Sequence, residues 1–373
     1  MARRLKTILA LGGSLVLAGG LLYLSLRGVD AQAVREALGA AEWGWLAPLG
    51  AVSLLSVAAR AWRWQLMLDA LAAPRPASRG GERQAVRFGV VNASVLVGYL
   101  VNLAAPRLGE IARASTVAAR CRLPLAGVLG TVVAERVLDV LTLGVALVSV
   151  ALLYSERLAA LAVAFAPQVA ALGQHLPLAA ALGGGGLAVA AAAWAWWRRR
   201  ARRAAAPAET PRLAGRFASL AATFRDGLAA LVRIRRRGAL FASTATIWGC
   251  YALMAWLPLR LLGLTERFGL GLTDAWALMN VGAIGMALPS PGGAGSYHYA
   301  TVQAFGLLFG VPESPAATYA LLAHAAQLVF YAAGGALAML WLGTSLGALR
   351  REAAAPEAAA PEAAPPSLPA PSA

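Results

Sequence analysis

Three short stretches hold most of the side chains with which this chain can do chemistry. Asn102 to Ser115 reads NLAAPRLGEIARAS and places Arg107, Glu110 and Arg113 just behind Pro106, directly after the apolar run VLVGYLV. Glu135-Arg136-x-x-Asp139 sits inside the apolar segment 124–153, with 135 and 139 on one helix face and 136 beside them. Leu288 to His298 reads LPSPGGAGSYH, and His324 follows 26 residues later.

These residue types suit anion binding better than bond making. The guanidinium groups of Arg107, Arg113 and Arg136 match the bidentate geometry of a phosphate, with Glu110 and Asp139 to orient them. For Arg107 and Arg113 the plain alternative is interfacial snorkelling. For Glu110 and Arg136 it is an ion pair that pins a broken hairpin to the next helix. Breaks at proline and glycine leave half-helices whose N-terminal N–H groups attract anions. Asn102, Ser290 and Tyr297 add hydrogen-bonding groups, and Gly292 and Gly293 let backbone approach a ligand closely. His298 and His324 read either as a pair titrating near neutral pH or as hydrogen-bonded interior imidazoles. Two cysteines and three histidines show no metal-ligand spacing, and His298 with Glu110 is the only conceivable acid–base pair. The expectation is no enzyme, no metal and no cofactor.

The elements that hold these residues must lie in a bilayer. The chain is 59% apolar and 13% charged, against about 25% charged in soluble domains. Apolar runs of span length occur at 7–26, 43–68, 124–153, 176–197, 239–262 and 314–346. The first begins behind a basic MARRLK and ends near Ala31-Gln32-Ala33, as a signal peptide does. Its length of about 20 residues favours a retained helix. Trp43 and Trp45 open the second run and Arg60 to Trp64, RAWRW, is read as its closing interfacial anchor.

The net charge of +16 is local: residues 198–237 hold twelve arginines against Glu209 and Asp226. That pattern marks a cytoplasmic loop beside anionic headgroups, and no motif supports nucleic-acid binding. Within the loop Leu213, Phe217, Leu220, Phe224, Leu228, Leu231 and Ile234 recur at helical steps behind Thr210-Pro211. They predict either an amphipathic helix on the membrane surface or a solvated loop. Residues 347–373, rich in Ala, Pro and Glu, cannot bury a core and read as a disordered tail.

The segments 88–120 and 272–311 are apolar but broken by Pro and Gly. Treated as re-entrant hairpins, they leave about six transmembrane helices and put both termini in the cytoplasm, as the arginines require. Shifting the sequence by 188 positions brings Asn92 onto Asn280, Pro124 onto Pro312, Leu100 onto Leu288, Glu110 onto His298 and Arg136 onto His324. The fold class is therefore an all-α integral membrane protein with two re-entrant broken hairpins in an inverted repeat. Its halves are about 43–197 and 239–346, joined by the basic linker 198–237, within one domain of residues 1–346. Interrupted segments at corresponding positions point to a site near the midplane. The expected site is a buried cluster of Glu110, Arg136 and Asp139, with Arg107 and Arg113 near the cavity mouth.

NLAAPRLGEIAR, ERVLD and LPSPGGAGSYH followed by GVP together resemble the flippase-like family of the lysylphosphatidylglycerol synthase transmembrane region, the UPF0104 membrane proteins. The resemblance runs to about residue 346. It implies a multi-pass protein of the cytoplasmic membrane that moves an anionic, phosphate-bearing lipid, such as a phospholipid or a polyprenyl-phosphate-linked lipid. The alternative is an accessory scaffold that holds lipid for a partner enzyme of lipid or glycan biosynthesis. Two positions depart from the family pattern: His298 stands where a Glu is usual, and His324 where an Arg is. Bifunctional members add a soluble aminoacyl-transferase domain. With its short tail, this chain is expected not to make an aminoacyl lipid by that route.

Overall fold

The computed structural model describes residues 16, 18–72, 86–104, 108–157, 212–287 and 291–344. The span expected at 176–197, half of the one at 7–26, the basic block before residue 212 and the tail lie outside them, as do Arg107 and Ser290.

Among the described residues the chain is helical, with no strand. Residues 18–26 form α1, followed by α2 (Ala31–Gly39), α3 (Leu46–Ala72), α4 (Phe88–Ala104), α5 (Leu108–Cys121) and α6 (Leu125–Leu153). After the gap come α7 (Arg212–Arg233), α8 (Arg237–Leu261), α9 (Leu264–Phe268), α10 (Leu272–Ala287), α11 (Ser296–Phe309) and α12 (Glu313–Leu342). Four described helices are long and apolar enough to cross a membrane: Trp43–Ala72, which includes α3, with α6, α8 and α12. They fall on four of the six expected spans. Val140, Leu141, Val145, Val148 and Leu152 of α6 stand exposed on one side. In a bilayer that side faces acyl chains, where an apolar surface is at home.

The repeat is visible in the element bounds. A shift of 188 carries α5 onto 296–309, which is α11, and α6 onto 313–341, which is α12 less its last residue. The two halves also run in opposite directions. The backbone N–H of Glu42, just before α3, donates to the carbonyl of Leu261 at the end of α8, so these counterparts are antiparallel. Arg120, just before α6, meets the end of α12, and Arg157, just after α6, meets the residue before the last of α11. α6 and α12 are therefore antiparallel too, which makes the repeat inverted.

Each half contains a helical hairpin. α4 and α5 are about 25 Å and 21 Å long at 1.5 Å per residue, short of the roughly 30 Å hydrocarbon core. The pair packs backbone to backbone. A Cβ at Gly109 would fall 2.0 Å from the Gly98 carbonyl oxygen, a contact that only glycine permits. In the second hairpin a Cβ at Gly285 of α10 would lie 2.7 Å from the Ser296 carbonyl oxygen. The tip between α10 and α11 needs positive φ at Gly292, Gly293 and Gly295. α1 lies against that tip, since a Cβ at Gly295 would fall 2.0 Å from the Ala18 carbonyl oxygen.

α7 corrects one expectation. The helix forms, but the face that includes Gly227 and Ala230 does not rest on lipid. It packs on α6 and α3. A Cβ at Gly227 would lie 2.1 Å from the Gly127 carbonyl oxygen, and one at Gly130 would lie 2.3 Å from that of Phe224. Small residues on both helices let the backbones touch, a signal that apolar periodicity does not carry.

Candidate functional site

The charged residues of the first half converge beside the α4–α5 break. α6 supplies Glu135, Arg136 and Asp139; α5 supplies Glu110 and Arg113; α3 supplies Arg60 and Arg63. Asn102, in the last turn of α4, closes the break: its Oδ1 accepts the Gly109 N–H at 2.7 Å. A side chain of one helix thereby satisfies a donor in the first turn of the next, where helical backbone has no partner of its own. The Asn102 Nδ2 also donates to Glu110 Oε2 at 3.4 Å, and Glu110 sits at the positive end of α5.

Glu135 is the centre of the network, with no solvent exposure. Its Oε1 lies 3.3 Å from Arg63 Nη2 and 3.5 Å from Arg60 Nη1, and its Oε2 lies 2.9 Å from Arg113 Nη1. Asp139 receives Arg63 at 2.5 Å, Arg60 at 3.0 Å and Arg136 at 3.5 Å. The Arg113 guanidinium lies 4.6 Å above the Trp64 ring, and Trp64 Nε1 donates to Thr131 Oγ1 at 2.9 Å. This is a polar core built inside the membrane domain, where unpaired charge is costly.

The placement differs from the expected one. Arg113, expected near the mouth, is buried at 4% exposure on Glu135, whereas the Arg136 side chain, expected in the buried cluster, is 44% exposed. Arg136 Nη2 lies 4.0 Å from Glu110 Oε1, the longest pair of the network. The reason is which element lies opposite: α3 approaches the face of α6 that carries Glu135 and Asp139, leaving the adjacent residue 136 turned to the side. The sequence expectation for Arg60 and Arg63 is an interfacial anchor closing the span. In the structure α3 continues to Ala72, so both lie inside the helix and are buried. Their spacing of three, on the same face as Trp64, was the signal available for a buried role.

Arg60, Tyr99, Asn102, Glu110, Arg113 and Arg136 line a cleft of about 20 Å³. That is room for a water or two, too little for a phosphate without movement of the hairpin. Arg60 Nε and Arg113 Nη2 are buried N–H groups with no protein partner.

The second half lacks charge at the corresponding places. The 188 shift carries Arg60 onto Trp248, Arg63 onto Tyr251, Asn102 onto Ser290, Arg113 onto Thr301, Glu135 onto Ala323 and Asp139 onto Gln327. His298 and His324 are both buried, with ring centroids 5.0 Å apart. Tyr297 flanks them at 5.7 Å and 5.2 Å. The Gly295 N–H donates to His298 Nδ1 at 3.3 Å, so a neutral His298 carries its proton on Nε2. Gly293 abuts Met286, its hypothetical Cβ only 1.9 Å from the sulfur, and Gly292 turns the chain at φ 59°. The turn Pro291–Gly293 packs on α4, so the second break touches a helix of the first hairpin.

A family model described as lysylphosphatidylglycerol synthase TM region matches residues 11–335. No curated protein and no solved structure matches the chain.

Proposed function

The chain belongs to the family of the lysylphosphatidylglycerol synthase transmembrane region, a multi-pass membrane family linked to lipid modification or transport, and from that premise we propose that it carries a phosphate-bearing anionic lipid across the membrane. The observation that supports this most directly is the cleft beside the α4–α5 break. There Arg60 and Arg113 hold N–H groups without protein partners, and Arg136 reaches its mouth. A phosphate oxygen accepts from such donors at short distance and with charge assistance. Arg60, Arg63, Arg113 and Arg136 face Glu110, Glu135 and Asp139, four positive charges against three negative. One added negative charge therefore relieves the imbalance.

Arg136 receives the headgroup phosphate, taking it in place of the distant Glu110. Asn102 and Glu110 tie the binding event to the start of α5, and Asp139 and Glu135 hold the arginines in place. The lipid tails stay in the bilayer while the headgroup passes through the cleft, which opens by movement of the hairpins. The arginine distribution supports a cytoplasmic-membrane setting with both termini inside. An enzyme of lipid or glycan biosynthesis would be the natural partner.

The test is purified protein in proteoliposomes that carry fluorescent phosphatidylglycerol, with dithionite quenching of the outer leaflet. The intact protein should expose the inner-leaflet probe. Arg136→Gln, at a half-exposed side chain, should fold and lose at least tenfold in rate, the loss expected for one charge-assisted contact of about 1.5–3 kcal/mol. Undiminished transfer would sink the assignment. Lipid retained without transfer would favour a scaffold that presents lipid to a partner.

A further inference from the structure

Both hairpins end in a tie to the other half of the molecule. Arg120, in the last turn of α5, donates from Nη2 to the carbonyl oxygen of Leu342, the last residue of α12, at 2.5 Å. Arg157, beyond the end of α6, donates from Nη1 to the carbonyl oxygen of Leu308, in the last turn of α11, at 2.5 Å. The 188 shift carries Arg120 onto Leu308, and Tyr154 onto Leu342. Tyr154 lies under the Arg157 guanidinium, 5.8 Å from it. The second half thus makes the same tie with donor and acceptor sides exchanged.

The carbonyls involved are the ones a helix leaves without partners. At the end of α11 the N–H groups of Gly310 and Val311 take the carbonyls of Gly306 and Phe305, and Leu308 is left to Arg157. At the end of α12 those of Gly343 and Thr344 take Leu340 and Met339, and Leu342 is left to Arg120. A cation at a helix C-terminus also meets the negative end of the macrodipole. The ties sit at the two ends of α6, about 43 Å apart along 29 residues, and hence at opposite faces of the membrane.

We propose that Arg120 and Arg157 are a pair of latches, one at each membrane face, each holding one hairpin against the long helix of the other half. Releasing Arg120 frees the end of α5 at one face; releasing Arg157 frees the end of α11 at the other. With both closed, the cleft holds only a water or two, too little for a phosphate. The use of the latches in transport rests on the lipid-carrier reading, while their existence does not.

Cys121, buried beside Arg120, reports on the first latch in a Cys250→Ala background. Leu308→Cys in a Cys121→Ser, Cys250→Ala background reports on the second and keeps the backbone acceptor. A membrane-impermeant maleimide added to proteoliposomes gives the labelling rate at each position. Arg120→Ala should raise labelling of Cys121 about tenfold and leave position 308 unchanged, and Arg157→Ala should do the reverse, as expected for loss of a charge-assisted hydrogen bond. Arg120→Lys and Arg157→Lys keep a donor and should restore most of the protection. If an alanine variant cannot be purified, the glutamine variant is read in its place under the same requirement. No rise in either variant, or equal rises at both positions, would overturn the latches. Face-specific labelling in vesicles that move no lipid would keep the latches and remove the transport reading. Lipid transfer with unchanged labelling would do the opposite.

Discussion

Glu135 is the residue on which the first half turns. Three arginines meet it, and it has no exposure to solvent. Glu135→Gln keeps its shape but removes the charge that compensates Arg63 and Arg113. Breaking a buried pair from one side costs about 3–5 kcal/mol, so this variant should unfold at clearly lower temperature in a detergent thermal-shift measurement. An unchanged midpoint would show that the arginines are neutralised by something else. Arg136→Gln removes a half-exposed group that lies 3.5 Å from Asp139 and 4.0 Å from Glu110 and should leave the same midpoint nearly in place, because loosely held exposed pairs contribute about 0–1 kcal/mol. The contrast separates a residue that holds the fold from one free to meet a ligand. Composition and spacing identified Glu110, Arg113, Arg136 and Asp139 as charges inside an apolar region. They did not say which pair with which, because partners on α3 are more than 70 residues away in sequence.

At the scale of elements, contacts between glycines and backbone decide how the helices meet. A side chain at Gly109 would strike the Gly98 carbonyl and displace Asn102. Gly109→Ala should therefore cost at least the 1–3 kcal/mol of overpacking and loosen the α4–α5 break. Gly144→Ala, where the added methyl would meet nothing, is the matched control and should be neutral or slightly stabilising by helix propensity. Thermal unfolding of the two variants side by side measures the difference; equal midpoints would mean that the hairpin tolerates separation of its helices. The proline and glycine breaks were legible from sequence because they interrupt apolar periodicity. The crossing of Gly127 and Gly130 with Gly227 was not, because it depends on which distant helix α7 meets, and the apolar steps of α7 alone do not say that the covering surface is α6.

At the scale of the whole molecule, antiparallel counterparts predict which residues share a face. Arg122 and Thr344 flank one end of the α6–α12 pair, and Glu156 and Glu313 flank the other. Single cysteines at 122 and 344 should label from one side of sealed vesicles and those at 156 and 313 from the other, in a Cys121→Ser, Cys250→Ala background. Mixed labelling within either pair would break the inverted arrangement. The membrane class, the break points, the spacing of the repeat and the presence of intramembrane charge are all readable along the chain. All of these follow from local hydropathy, from the backbone limits of Pro and Gly, and from one register shift. Helix packing is what brings Arg60 and Arg63 into the charged core, buries Arg113 while leaving Arg136 at the cleft, and sets Arg120 and Arg157 on the carbonyls of Leu342 and Leu308. Each of those depends on which helix face another helix covers, and that is set by packing between segments far apart in the chain.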